Sequence, residues 1–171
     1  MTFLTEKGVF KMNHAIFAQI VRAVIRQRYH NLENFCQTHP EWTMDELLQK
    51  VPVDWHATPA QQQSVRRLFT DYEWMLVHKV IQRAKTLPEE EMRGAAIYQQ
   101  AKALIAQTWL TAPYCKAQFQ QDTAQIYLRL SCSYAEWGLD DQLDFVVPAQ
   151  IKRAIETHQL DLLTWAKQLN D

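Results

Sequence analysis

The chain has 171 residues, 47% of them hydrophobic, which suits one compact domain with its own core and argues against disorder. Its 18 lysines and arginines offset 19 aspartates and glutamates, for a net charge of −1. So neutral a chain has no long-range attraction for nucleic acid or for an anionic membrane surface, and neither is expected as a partner.

Only 3 glycines occur, Gly8, Gly94 and Gly138, each standing alone. Average usage would give roughly twelve. Phosphate loops, dinucleotide folds and tight hairpins need clustered glycines, so nucleotide-binding enzymes of those kinds are disfavoured. The first residues, MTFLTEKGVFKMN, hold no apolar run of the secretory type, and no window approaches the ~18 apolar residues of a membrane span. Cys36, Cys115 and Cys132 are odd in number and far apart, the pattern of reduced thiols and of a cytoplasmic protein.

Prolines divide the chain into segments of helical length. Residues 1–12 read as an N-terminal tail. The spacing of Phe17, Ile20, Val21, Val24 and Ile25 predicts a first helix over about Asn13–Gln37, capped by Asn13. Thr43 and Glu46 form a capping-box pair that opens a short helix ending before Pro52. Thr58, Pro59 and Gln61 open a third helix, which Val65, Leu68, Phe69, Tyr72, Met75, Leu76 and Val80 carry to about Lys85. Pro88 and the acidic run Glu89, Glu90, Glu91 start a fourth, with Ile97, Ala101, Leu104, Ile105 and Thr108 on its buried face.

A fifth helix is expected from about Pro113 to Trp137, with Phe119, Ile126, Leu130 and Trp137 in phase and Gly138 as its left-handed cap. Residues 139–147 read as an acidic connector. From Pro148 onward, Ile151, Ala154, Ile155, His158, Leu162, Trp165 and Leu169 keep helical spacing, as one helix or as two with a bend near His158. His158 would then face the interior. No strand alternation or internal repeat stands out. The expectation is one all-α domain over residues 1–171, a bundle of six or seven helices.

Catalytic and metal signatures are absent from the sequence. His14, His30, His39, His56, His78 and His158 show no ligand spacing, and Asp54, Trp55 and His56 make only a lone D-x-H. No nucleophile elbow occurs. Arg22, Arg26 and Arg28 read as a solvated basic face. Trp42, Trp55 and Trp74 lie off the cleanest apolar stripes and are candidates to line an interface or pocket.

Tyr127, Leu128 and Arg129 are followed by Gly138, eleven residues after the tyrosine, and by the hydrophobic–acidic pair Leu143 and Asp144. This stretch, within residues 114–148, resembles a segment of the phycobiliproteins. The resemblance implies a globin-like fold and a tetrapyrrole cofactor, bilin or haem, with Asp122, Tyr127 and Arg129 among its contacts. His158 would lie on the following helix, where a histidine could ligate haem iron. The sequence departs from the family at two places. Gln120, Gln121, Asp122 and Thr123 stand where covalent bilin carriers have Cys-x-Arg-Asp, so the attachment cysteine is missing. Only 33 residues follow Gly138, too few for the family's last helix.

The resemblance therefore suggests a phycobilisome-related accessory protein that binds a tetrapyrrole non-covalently or assists pigment-protein assembly. The alternative is a helical adaptor or regulatory protein acting through protein contacts alone; the partners expected are another protein and, separately, further copies in a homo-oligomer.

The capping boxes yield a direct expectation. Thr58→Ala should cost roughly 0.5–2 kcal/mol, because the hydroxyl acceptor of a first-turn N–H is lost. A lowered denaturant midpoint measures this, and an unchanged one would mean that no helix starts there.

Overall fold

A computed structural model describes residues 3–49, 57–86, 93–122, 125–134 and 139–171. Asp54, Trp55, His56, the Pro88–Glu91 helix start and the Gly138 cap lie outside these residues. Within them the order is α1 (Phe3–Tyr29), α2 (Leu32–Thr38), α3 (Met44–Gln49), α4 (Pro59–Arg66), α5 (Asp71–Thr86), α6 (Gly94–Leu110), β1 (Cys115–Gln121), β2 (Ile126–Tyr134), β3 (Leu139–Val147), α7 (Ala149–Glu156) and α8 (Leu162–Gln168). The protein is mixed α and β, and the all-α expectation is corrected. The chain forms two compact units, one of residues 1–69 and 74–98, the other of residues 70–73 and 99–171.

The first unit is helical. Ile16, Phe17, Ile20, Val21, Val24 and Ile25 of α1 are buried, as their spacing predicts. The helix starts at Phe3, so residues 3–12 belong to it and are not a tail. The expected first helix is two helices, because His30 takes a left-handed conformation (φ 69°) that ends α1, and Asn31 caps α2 through the Asn34 N–H.

Both expected capping boxes form, and they interlock. Glu46 Oε2 accepts from the Thr43 N–H at 3.2 Å, and Gln61 Oε1 accepts from the Thr58 N–H at 3.0 Å. Gln61 Nε2 then donates to that same Glu46 oxygen at 3.0 Å and to the Glu41 carbonyl at 2.8 Å. The Arg22 guanidinium donates to the Leu47 and Leu48 carbonyls, satisfying the end of α3. Burial, with Arg26 nearby, lowers the Arg22 pKa. Gly94 opens α6 where a Cβ would stand 2.6 Å from Ile16 Cγ2, so only glycine allows that approach.

The second unit is built on an antiparallel sheet of order β1-β2-β3. It occupies the stretch expected to be a fifth helix and a connector. A helix would set Ile126, Leu128, Leu130 and Cys132 about 200° apart in succession, scattering them over opposite sides. In a strand they share one face. Leu128, Leu130 and Cys132 are buried there, and Leu143, Phe145 and Val147 of β3 join them. Ala106, Trp165 and Ala166 complete this core, with Ile151 and Ile155 packed against it.

The turn between β1 and β2 closes without glycine. Asp122 Oδ1 accepts from the Gln125 N–H at 2.8 Å, and the Asp122 N–H donates to the Gln125 carbonyl at 3.1 Å.

The final segment is two helices, with the bend at His158. Thr157 ends α7, and His158 follows in the left-handed conformation (φ 60°). The Gln159 N–H returns to the Ala154 carbonyl at 2.9 Å and the His158 N–H to the Ile155 carbonyl at 3.2 Å, which is a Schellman cap. His158 is exposed, so its expected interior orientation is corrected: the bend takes it off the apolar stripe. Because an L-residue is disfavoured there, His158→Gly should raise stability by about 1 kcal/mol and His158→Val should lower it. Paired urea melts measure both, and equal midpoints for the two variants would contradict the cap.

Candidate functional site

The charged groups of the second unit converge on the outer edge of β3. Thr70 and Glu73 form a third capping box at the start of α5. Glu73 Oε1 accepts from the Thr70 N–H at 2.9 Å, and Thr70 Oγ1 accepts from the Glu73 N–H at 3.1 Å. The same two side chains also serve the sheet. Thr70 Oγ1 donates to the Gln142 carbonyl at 2.6 Å, and Glu73 Oε2 accepts from the Asp144 N–H at 3.1 Å.

Lys102 of α6 completes the arrangement. Its ammonium lies 2.9 Å from Glu73 Oε2, donates to the Asp144 carbonyl, and sits 4.4 Å from the centre of the Phe145 ring. Glu73 and Lys102 are 1% and 7% exposed, so each charge depends on the other for the solvation it has lost.

Arg129 faces Asp144 directly across the β2–β3 ladder. Its Nε and Nη2 donate to the two carboxylate oxygens at 2.7 and 2.8 Å, a bidentate pair. The hydrogen bonds to Asp144 raise the Arg129 pKa, against an opposing effect of burial. Two cations thus meet two carboxylates. Among the described residues no buried side-chain nitrogen or oxygen lacks a hydrogen-bond partner. Such a set of mutually bonded charges holds structure together.

The four residues expected to contact a tetrapyrrole lie on a turn, a strand and a helix cap. Asp122 closes the β1–β2 turn, Tyr127 and Arg129 share one face of β2, Arg129 is engaged by Asp144, and His158 is exposed at the α7 cap. Of the tryptophans singled out, Trp42 is buried with its indole N–H on Ser64 Oγ at 2.8 Å. Trp74 packs among Phe17, Phe69 and His78, with Arg66 over its ring. Among the described residues no group of three or more His, Cys, Asp or Glu could hold a metal ion, and no helix is long and apolar enough to cross a membrane.

Glu73 and Lys102 were not singled out by sequence reasoning. The signal for Glu73 was present, since Thr70-Asp71-Tyr72-Glu73 is a capping box inside what reads as one long helix. Nothing in the sequence marks Lys102. The chain matches no protein-family model, no curated protein and no solved structure.

Backbone parity separates the two sheet edges. The Asp122–Gln125 bond fixes which β1 residues bond to β2: Gln120, Gln118 and Lys116, in alternation from the turn. Ala117, Phe119 and Gln121 therefore direct their N–H and C=O groups outward. On β3 the outward residues include Gln142 and Asp144; Thr70 bonds the Gln142 carbonyl, and Glu73 and Lys102 take the N–H and the carbonyl of Asp144. Among the described residues no such cover exists for Ala117 and Phe119. Among the described residues, the β3 edge is bonded at Gln142 and Asp144, and the β1 edge carries no such bond at Ala117 or Phe119.

Glu73→Ala removes the partner of a buried ammonium and should cost about 3–5 kcal/mol. Joint replacement of Glu73 by Leu and Lys102 by Met should recover much of that loss. Urea unfolding of both variants measures this, and a near-neutral single variant would show that Lys102 finds other solvation.

Proposed function

We propose that the protein is an assembly module that works through protein contacts, joining a second copy of itself by strand addition along β1. The uncovered outward groups of Ala117 and Phe119 on β1, against a β3 edge bonded at Gln142 and Asp144, are the observation that carries this reading. An uncovered edge is a template for an added strand.

The sequence of β1, Cys115–Gln121, suits pairing with itself. In an antiparallel pair centred on Gln118, the outward groups of Ala117 meet those of Phe119 from the other copy. Lys116, the strand's one charge, faces Gln120, so no like charges oppose. Gln118 meets its own counterpart, and the larger Phe119 side chain meets the smaller Ala117. A two-fold axis makes every such contact occur twice. The sheet would become six strands with its β3 edges outermost.

The tetrapyrrole reading has less support, because it rests on a Tyr-Leu-Arg segment read as helix, and that segment is a strand. Haem or bilin reconstitution that gives a visible absorption band, lost on Tyr127 or His158 substitution, would favour it over assembly.

Ala117→Pro tests the assembly reading. It deletes an outward N–H that takes no part in the β1–β2 ladder, at an edge where proline is tolerated. Two hydrogen bonds per dimer, at about 1 kcal/mol each, amount to a loss in affinity on the order of 30-fold. Sedimentation equilibrium should show a concentration-dependent dimer for the wild-type chain and a shift to monomer for the variant, with circular dichroism unchanged. A wild-type chain that stays monomeric throughout, or a dimer indifferent to Ala117→Pro, would overturn the proposal.

A further inference from the structure

Cys115 opens β1 and Cys132 lies directly opposite it in β2. The parity that turns Ala117 and Phe119 outward makes Cys115 and Cys132 a non-hydrogen-bonded pair, the kind in which opposed side chains stand closest. Both point to the apolar face of the sheet. Each thiol influences the proton affinity of the other. A Cα separation of about 4.5 Å, usual for such a pair, falls within the range that a disulfide spans.

We infer that Cys115 and Cys132 are a built-in redox pair that closes to a cross-strand disulfide in the folded protein. This inference is independent of assembly through β1. Both thiols are free in the structure, with Cys115 half-buried and Cys132 buried. The oxidant is a low-molecular-weight disulfide. The more accessible Cys115 thiolate attacks one of its sulfurs, the small disulfide bond breaks, and one small thiol leaves with a proton. The Cys132 thiolate then attacks the Cys115 sulfur of the mixed disulfide and releases the second small thiol. Two protein thiols become one disulfide, and the two electrons reside in the two small thiols.

The surroundings make this pair slow to react at neutral pH. Burial is the main cause that raises both thiols, and Cys132 is pushed up to about 12, with the neighbouring Cys115 and Asp141 adding to the effect. Since thiolate is the reactive form, closure should accelerate by up to about tenfold per pH unit between about pH 7 and pH 9. Cys36, on α2, is the internal reference; burial together with Glu46 and Glu33 raises its thiol too.

The native protein is incubated with glutathione disulfide, quenched in acid, and its thiols are counted in denaturant. The expected result is a fall from three free thiols to one, with Cys115 and Cys132 in one linked peptide pair and Cys36 free. Cys36→Ser should behave as wild type. Cys132→Ala should stop at a glutathione adduct on Cys115. If Cys132→Ala does not fold, the wild-type peptide map decides, compared with protein oxidised in denaturant, where all pairings form. Three thiols retained in the native protein, a linkage involving Cys36, a disulfide between copies, or a lasting glutathione adduct in the wild type would overturn the inference.

Discussion

The Glu73 carboxylate is the group on which the second unit depends. One of its oxygens caps the backbone at the start of α5, and the other accepts both the Asp144 N–H of β3 and the Lys102 ammonium of α6. A helix start, a strand edge and a buried cation are three separate demands for an acceptor, and each is costly if unmet. A single side chain meets all three. Lys102 then passes the constraint on, through the Asp144 carbonyl and the Phe145 ring, to the strand whose apolar residues form the core.

The same arrangement explains why α5 is divided between the two compact units. Residues 70–73 belong with the sheet and Trp74 onward with the helical unit. The break falls at the end of the capping box, where the chain passes from groups bonded to β3 to the aromatic packing of Trp74 with Phe17 and Phe69. The charged set engages the outward groups of β3 at Gln142 and Asp144, while Ala117 and Phe119 of β1 carry no such bond among the described residues. The geometry of β1 follows from one turn: Asp122 and Gln125 set the parity that points Ala117 and Phe119 outward and makes Cys115 and Cys132 neighbours.

Where the sequence was misread, the reason is specific. Ile126, Leu128, Leu130 and Cys132 alternate with Tyr127, Arg129, Ser131 and Ser133, which is a strand pattern. Fitting Phe119, Ile126, Leu130 and Trp137 to a helical spacing used every fourth or so apolar residue and passed over those between. His158 was misplaced differently. Its spacing with Ile155 and Leu162 is helical, but a left-handed residue resets the phase between α7 and α8.

By itself the sequence determined the buried stripe of the first helix and two of the helix starts. The spacing around His158 fits one helix as well as two, whereas the apolar stripe of α1 and the capping boxes at Thr43 and Thr58 are present in local residue patterns. This is so because a helix bonds each N–H to a carbonyl four residues away and buries a face of fixed period, so a short window contains nearly all it needs. Only the tertiary structure decided the sheet edges, the ion network and the cysteine pair. Glu73 meets Asp144 across 71 positions and Lys102 meets it across 42. A strand takes its hydrogen bonds from whatever the fold brings beside it, so its role is set by residues that no local window contains.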